Sequence, residues 1–155
     1  MGVTSSPDVA WRMQHQTSAT TPADPQRLWT VLTDVEQWAE WIDVYEWGHR
    51  DEVGPLKLGD SAHIKQKGLA AVVWRVTELD EGRSFAWETR QPGVRILGRH
   101  VVTDEPSGGS RLTLQLERAD RLSGVATALL GRKTRRYVDL ECARLDRVAA
   151  EASST

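Results

Sequence analysis

The chain has 155 residues, which suits one domain with a single sizeable core and is short for two domains. Its 20 Lys and Arg residues against 22 Asp and Glu residues give a formal charge of −2, so no net positive field attracts nucleic acid. No stretch approaches the roughly 18 apolar residues of a membrane span, and the first residues carry no secretory signal, so we expect a cytoplasmic protein without integral membrane insertion.

Two short helices are predicted after a first strand at 11–17. The first helix covers about 22–33, because N-cap candidates and Pro in its first turn precede apolar residues at helical spacing. The second covers 35–41 and is expected to begin at a capping box formed by Asp34 and Gln37. This order of one strand and then two short helices narrows the choice of folds.

Beyond these helices the hydrophobic pattern has a period of two, which is typical of strands with one buried face. In the clearest of them Trp74 and Val76 share one side. Turn residues, mostly Gly and Pro, separate the segments. The predicted strands after the first are 44–50, 61–67, 71–79, 84–90, 94–103 and 111–118.

The chain closes with one long amphipathic helix, predicted from about 122 to 151 by apolar residues at three- and four-residue steps. Together these elements predict an α+β domain over 10–151, with flexible tails at 1–9 and 152–155. Its sheet is expected to be antiparallel and half-buried. The oligomeric state is left open by the sequence.

Seven segments of the chain match a known family pattern in order. They are 21–29 (TPADPQRLW), 32–41 (LTDVEQWAEW), 59–60 (GD), 74–79 (WRVTEL), 85–89 (FAWET), 98–100 (GRH) and 109–114 (GSRLTL). Over roughly 10–150 the chain resembles the START-like, or SRPBCC, superfamily, and within it the polyketide cyclase/dehydrase and lipid-transport proteins. The resemblance implies a helix-grip fold. In that fold a curved antiparallel sheet of about six or seven strands wraps around the long C-terminal helix, with two short helices after strand 1.

The resemblance also implies a central cavity that binds a hydrophobic or aromatic small molecule, either lipid or polyketide-like. Because one fold hosts many activities, whether the protein is an enzyme stays open. The first alternative is an aromatase/cyclase acting on a polyketide-type substrate, which needs an inward polar pair within hydrogen-bond reach. The second is a protein-interaction module like the chaperone activators of the superfamily, which would have a filled core and an exposed apolar patch.

The expected cavity wall is drawn from the concave face of the sheet and from the helices. For each apolar member, plain core packing is an equal alternative. In the cyclase hypothesis His100 or Tyr137 handles a proton, although a lone strand histidine is more often a structural residue. The candidate residues are Trp41, Trp74, Val76, Phe85, Trp87, His100, Leu114, Leu122, Ala126, Leu129 and Tyr137.

The sequence shows no metal-ligand pattern, so neither a metal site nor a cofactor is expected. His15, His49, His63 and His100 are scattered, and none forms a two-ligand step with another histidine or with Cys142. As the lone cysteine, Cys142 is expected to be a buried thiol in a reducing compartment. The basic run at 132–136 is interpreted as a solvated helix face, with an anionic surface as its alternative partner.

Overall fold

One antiparallel sheet organises the chain in the computed structural model, which describes residues 11–120 and 125–152, with the side chains of 11–119 and 131–151. Within those residues the sheet has seven strands in the order β1-β7-β6-β5-β4-β3-β2. Bulges after Met13, Tyr45 and Val76 interrupt the pairing, and bulges of this kind bend a sheet. The strands are β1 (Arg12–Thr21), β2 (Tyr45–Arg50), β3 (Ser61–Gln66), β4 (Val72–Asp80), β5 (Ser84–Gln91), β6 (Val94–Asp104) and β7 (Ser110–Asp120).

The described helices are α1 (Pro25–Thr33), α2 (Trp38–Trp41) and α3 (Val125–Ala152). Asp24 caps α1, since its carboxylate accepts a 2.8 Å hydrogen bond from the backbone N–H of Arg27. The long helix α3 packs mainly against β1, and it also contacts α1 and β7. The sheet therefore curves around α3, which confirms the predicted helix-grip fold.

The capping box predicted at Asp34 is wrong. The Asp34 side chain makes no capping bond, and its main-chain carbonyl instead accepts a 3.0 Å bond from the Gln37 N–H. This is the three-residue step of a 3₁₀ turn, which covers Val35–Gln37 and leads directly into α2.

Most predicted strand ends agree with the structure within two residues, but β1 continues four residues beyond its predicted end, to Thr21. The predicted tails at 1–9 and 152–155 lie outside the described residues, except that Ala152 is the last residue of α3. In the part of the chain that the structure describes, none of the helices combines the length and apolar character that a membrane span needs.

Aromatic rings join the short helices to the sheet. Trp38 of α2 is fully buried and meets Tyr45 and Trp87 edge to face, at centroid distances of 5.4 and 5.5 Å. Trp29 of α1 meets Phe85 in the same manner at 5.9 Å. Such pairs contribute about 0.5–1.5 kcal/mol each beyond the burial of their area. The helices α1 and α2 are thus fixed over the start of β5.

Candidate functional site

A cavity of about 370 Å³ lies between the concave face of the sheet and α3. This volume is within the range of roughly 300–1,000 Å³ that is typical of small-molecule sites. Most of the wall is apolar, and α3 closes it with Val138. The apolar side chains from the strands include Ile64, Val72, Trp74, Trp87, Ile96 and Leu116.

Two tryptophans from neighbouring strands form an aromatic part of this wall. Trp74 and Trp87 stack with a centroid distance of 5.6 Å and an angle of 29° between their rings. Gly98 is the register partner of Trp87, and a Cβ at position 98 would lie 3.1 Å from Trp87 Nε1. The absence of a side chain at Gly98 therefore lets the Trp87 ring lie close to β6.

His100 points inward from the middle of β6 and is 3% exposed. Its ring stacks on Phe85 at 4.1 Å and meets Trp87 edge-on at 5.2 Å. Burial lowers the pKa of His100 to about 3, and nearby backbone groups of Phe85 and Gly98 oppose this shift only in part. The imidazole is therefore neutral at physiological pH. Its Nδ1 atom is buried and has no partner with hydrogen-bond geometry among the described residues.

A second polar group on the wall is a hydrogen-bonded pair that joins β2 to α3. The Tyr45 hydroxyl donates a 2.6 Å bond to Glu141 Oε1, and both residues line the cavity. Burial raises the pKa of Glu141 to about 7, although the bond from Tyr45 acts in the opposite direction. Burial also raises the pKa of Tyr45, as does the nearby Glu141 carboxylate. The cavity thus contains a carboxyl group that titrates near neutral pH.

Neither Tyr45 nor Glu141 was predicted from the sequence, although the pattern of α3 carries a signal for Glu141. Glu141 occupies the helical position between Val138 and Leu145, on the stripe that faces the sheet. An acidic residue on an apolar stripe is unusual, because burying its charge is costly. By contrast, no sequence pattern marks Tyr45, because its contact with Glu141 arises only from tertiary packing.

Four of the predicted cavity residues, Trp74, Trp87, His100 and Leu114, lie on the wall. Leu122 lies outside the described residues, and so do the side chains of Ala126 and Leu129.

The other predicted residues lie away from the wall. Val76 and Phe85 are fully buried in the core. For these two residues core packing, which was the alternative to cavity lining, is the interpretation that applies. Trp41 packs against the same core, and its carbonyl accepts a 2.9 Å bond from Arg144 Nε. The Tyr137 hydroxyl donates a 2.8 Å hydrogen bond to the backbone carbonyl of Lys67, which does not line the cavity.

Cys142 is buried, as expected, and faces Leu112. Burial raises the pKa of its thiol to about 12, with nearby carboxylates adding to the shift. The thiol therefore stays protonated at neutral pH and is a poor nucleophile.

The chain belongs to the polyketide cyclase/dehydrase and lipid transport family, whose sequence model matches residues 12–150. It is 31% identical over 109 residues to an uncharacterized protein of Mycobacterium tuberculosis, present in two strains, with 67% of this chain and 75% of that protein covered.

Two solved structures show the same fold at low sequence identity. The Zhui aromatase/cyclase from Streptomyces sp. R1128 has a TM-score of 0.71 at 18% identity, over 90% of this chain and 94% of that one. The protein Ara h 8.0201 has a TM-score of 0.70 at 12% identity, over 92% of this chain and 99% of that one. These likenesses show the helix-grip fold, and together with the family match they support the START-like superfamily.

Proposed function

We propose that the protein binds a hydrophobic or aromatic small molecule, of lipid or polyketide type, in the cavity between the sheet and α3. The observation that supports this most directly is the cavity of about 370 Å³, whose wall is mostly apolar and carries the stacked rings of Trp74 and Trp87. A ligand with an apolar ring system would fill this space and remove the wall from water.

The surroundings of His100 favour a flat ligand. Trp74 and Trp87 present stacked rings to the cavity, and aromatic faces pack well against other ring systems. Because the His100 imidazole is neutral, one ring nitrogen donates a hydrogen bond and the other accepts one. We therefore expect an uncharged oxygen substituent, rather than an anion, to be recognised at this position.

The test is ligand binding to the purified full chain and to two matched tryptophan variants. Val72 lines the cavity, whereas the adjacent Val73 is 46% exposed on the opposite face of β4. We expect Val72→Trp to fill the cavity and to weaken binding at least about tenfold, or 1.4 kcal/mol. Val73→Trp is expected to bind as the wild type does.

Native mass spectrometry would identify any molecule that co-purifies, and calorimetric titration with fatty acids, quinones and polyphenols would measure affinity. Binding that is lost only in Val72→Trp supports the proposal. Binding that survives in Val72→Trp would place the ligand elsewhere and overturn it. A clean apoprotein that binds nothing in the panel would also overturn it, in favour of the interaction module.

The Tyr45–Glu141 pair favours a second candidate function, that of an aromatase/cyclase. Such an enzyme would fold a poly-β-keto chain in the cavity so that aldol condensation and dehydration occur in one register. A carboxyl group that titrates near neutral pH is suited to proton transfer, which typically contributes about 10²–10⁴-fold to a rate. Glu141 is better placed for this role than Tyr137, because the Tyr137 hydroxyl is bonded to the backbone of Lys67.

The cyclase hypothesis is tested by product analysis with a poly-β-keto thioester analogue. Under this hypothesis Glu141→Gln lowers turnover at least about a hundredfold, while the affinity for the product stays within a few-fold of wild type. No turnover in either protein would leave ligand binding as the function, whereas equal turnover in both would show that Glu141 is not the proton-transfer group.

A further inference from the structure

Two histidines and one aspartate come together on the outer face of the sheet. His49 in β2 is the register partner of His63 in β3, and their rings stack at 4.8 Å with only 6° between their planes. Asp51 follows β2, and its Oδ2 lies 3.0 Å from His63 Nε2. Because Ile64 lines the cavity, the preceding His63 points away from it. This group is therefore separate from the ligand cavity.

The prediction that the histidines are scattered is wrong for His49 and His63, which the fold brings together. Metal-binding histidines are easiest to recognise in sequence when a short helical or loop step separates them. Here the antiparallel register of β2 and β3 places the two residues directly opposite each other. The loop at 51–60 then adds Asp51 to the pair.

We propose that His49, Asp51 and His63 bind a divalent transition-metal ion, with zinc as the best fit. The potential ligand atoms of the three side chains all lie within 4.8 Å of one another. Two imidazole nitrogens and one carboxylate oxygen form a donor set that suits zinc and leaves a fourth position for water. Calcium and magnesium prefer all-oxygen sites, so they fit this set poorly.

Only a small adjustment is needed for the three side chains to enclose the ion. In a tetrahedral site with bonds of about 2.0–2.1 Å, ligand atoms lie about 3.3 Å apart, so the widest separation here must shrink by roughly 1.5 Å. His49 and Asp51 are exposed and His63 is half-buried, which leaves all three side chains room to rotate. The metal would replace the proton that His63 and Asp51 share in their hydrogen bond.

Neighbouring contacts hold the backbone and one ring of this group in place. The Asp51 N–H donates a 3.0 Å bond to the Ser61 carbonyl, which fixes the start of the loop against β3. The His49 ring lies between His63 and Trp47, and Trp47 stacks on it at 5.7 Å. A site supported in this manner is partly preorganised for binding. Since β2 is an edge strand, the ion would also link that edge to β3.

The test is calorimetric titration of zinc chloride into the full chain after its treatment with EDTA. We expect one equivalent of zinc to bind, and we expect His49→Ala and His63→Ala each to lower affinity at least about tenfold, as loss of a partner in a metal site commonly does. His15→Ala is the matched control, because His15 forms a separate 2.6 Å pair with Asp139 on α3. That variant is expected to bind zinc as the wild type does.

Two further measurements keep the result independent of folding. Circular dichroism of each variant checks that the fold is intact, and visible absorption bands of bound Co²⁺ report tetrahedral coordination directly. Tetrahedral bands that disappear in His63→Ala but persist in His15→Ala would support the site. Absence of zinc binding by the wild-type protein, or undiminished binding in both His49→Ala and His63→Ala, would overturn it.

Discussion

The Tyr45 hydroxyl and the Glu141 carboxylate share a 2.6 Å hydrogen bond that joins the sheet to α3 at the cavity wall. Both side chains are buried, so the state of this contact depends on whether Glu141 carries a proton. Because burial raises the pKa of Glu141 to about 7, that change occurs within the physiological range. The stability of the sheet–helix contact and the polarity of the cavity should therefore both respond to pH.

The first prediction is that stability falls as pH rises from about 5 to 8, and that Glu141→Gln reduces this fall. The pKa of about 7 in the folded state is above the ordinary value of 4.5. The folded protein therefore holds the proton more tightly, and this contribution is lost as pH rises through that window. For one such group it amounts to about 3 kcal/mol. Urea unfolding at both pH values measures it.

Asp146 should contribute to the same pH dependence. It is buried on α3, and desolvation raises its pKa to about 7, with Arg111 acting against the shift. Asp146→Asn should therefore reduce the fall as well, and the double variant should remove most of it. Glu40→Gln, which removes an exposed carboxylate, is the control. A fall of wild-type size in the double variant would contradict the assignment.

The position of His100 shows what local patterns can predict about this site. A bulge in β6 would turn the His100 side chain to the other face of the sheet. The pairing of β5 with β6 has no register shift, so the side chain faces inward. Period-two alternation therefore holds along β6, and His100 shares the inner face with Gly98. Elsewhere the alternation breaks, as at the bulge between Val76 and Glu78. No feature of the sequence marks that break.

Alternation cannot separate core residues from cavity residues, because both face inward. Phe85 and Trp87 point to the same side of β5, yet only Trp87 lines the cavity. The difference arises because Trp29 of α1 packs onto Phe85 and covers that end of the strand. Pairs such as Tyr45 with Glu141, or His49 with His63, also need tertiary structure, since the fold sets which residues meet.

The second prediction is that protonation of His100 lowers stability in acid and so opposes the gain that protonated Glu141 and Asp146 provide. Its pKa of about 3 in the folded state is below the ordinary value of 6.5. The neutral ring therefore adds stability that is complete above pH 6.5 and is lost as pH falls toward 3. At pH 4.5 the loss amounts to about 3 kcal/mol. We expect His100→Phe to lack this loss.

Urea unfolding at pH 7 and pH 4.5 checks this prediction, with the difference between the two values taken within each variant. The packing cost of the phenyl ring is present at both pH values, so it cancels in that difference. The difference for His100→Phe should be about 3 kcal/mol smaller than for wild type. Equal differences in the two proteins would contradict a contribution of His100 to the pH dependence.

The third prediction concerns a buried ion pair that closes the loop between β2 and β3. Arg50 Nη2 lies 2.8 Å from Asp60 Oδ2, and the two side chains are only 8% and 9% exposed. Arg50 Nη1 also donates to the Gly54 carbonyl at 2.7 Å, and Asp60 Oδ2 accepts a 2.9 Å bond from the Lys57 N–H. The pair therefore fixes both ends of the loop.

Asp60→Asn preserves the shape of this side chain but leaves the Arg50 guanidinium buried without its counter-ion. Loss of one partner of a buried pair typically costs about 3–5 kcal/mol, so we expect a destabilisation of that size in urea unfolding at pH 7. The control is Glu46→Gln, because the Glu46–Lys65 pair at 3.2 Å is more exposed and should contribute about 0–1 kcal/mol. If the two variants lost equal stability, the Arg50–Asp60 pair would have no special role in holding the loop.

Since Asp51 adjoins Arg50, Asp60→Asn should also weaken zinc binding without changing ligand binding in the cavity.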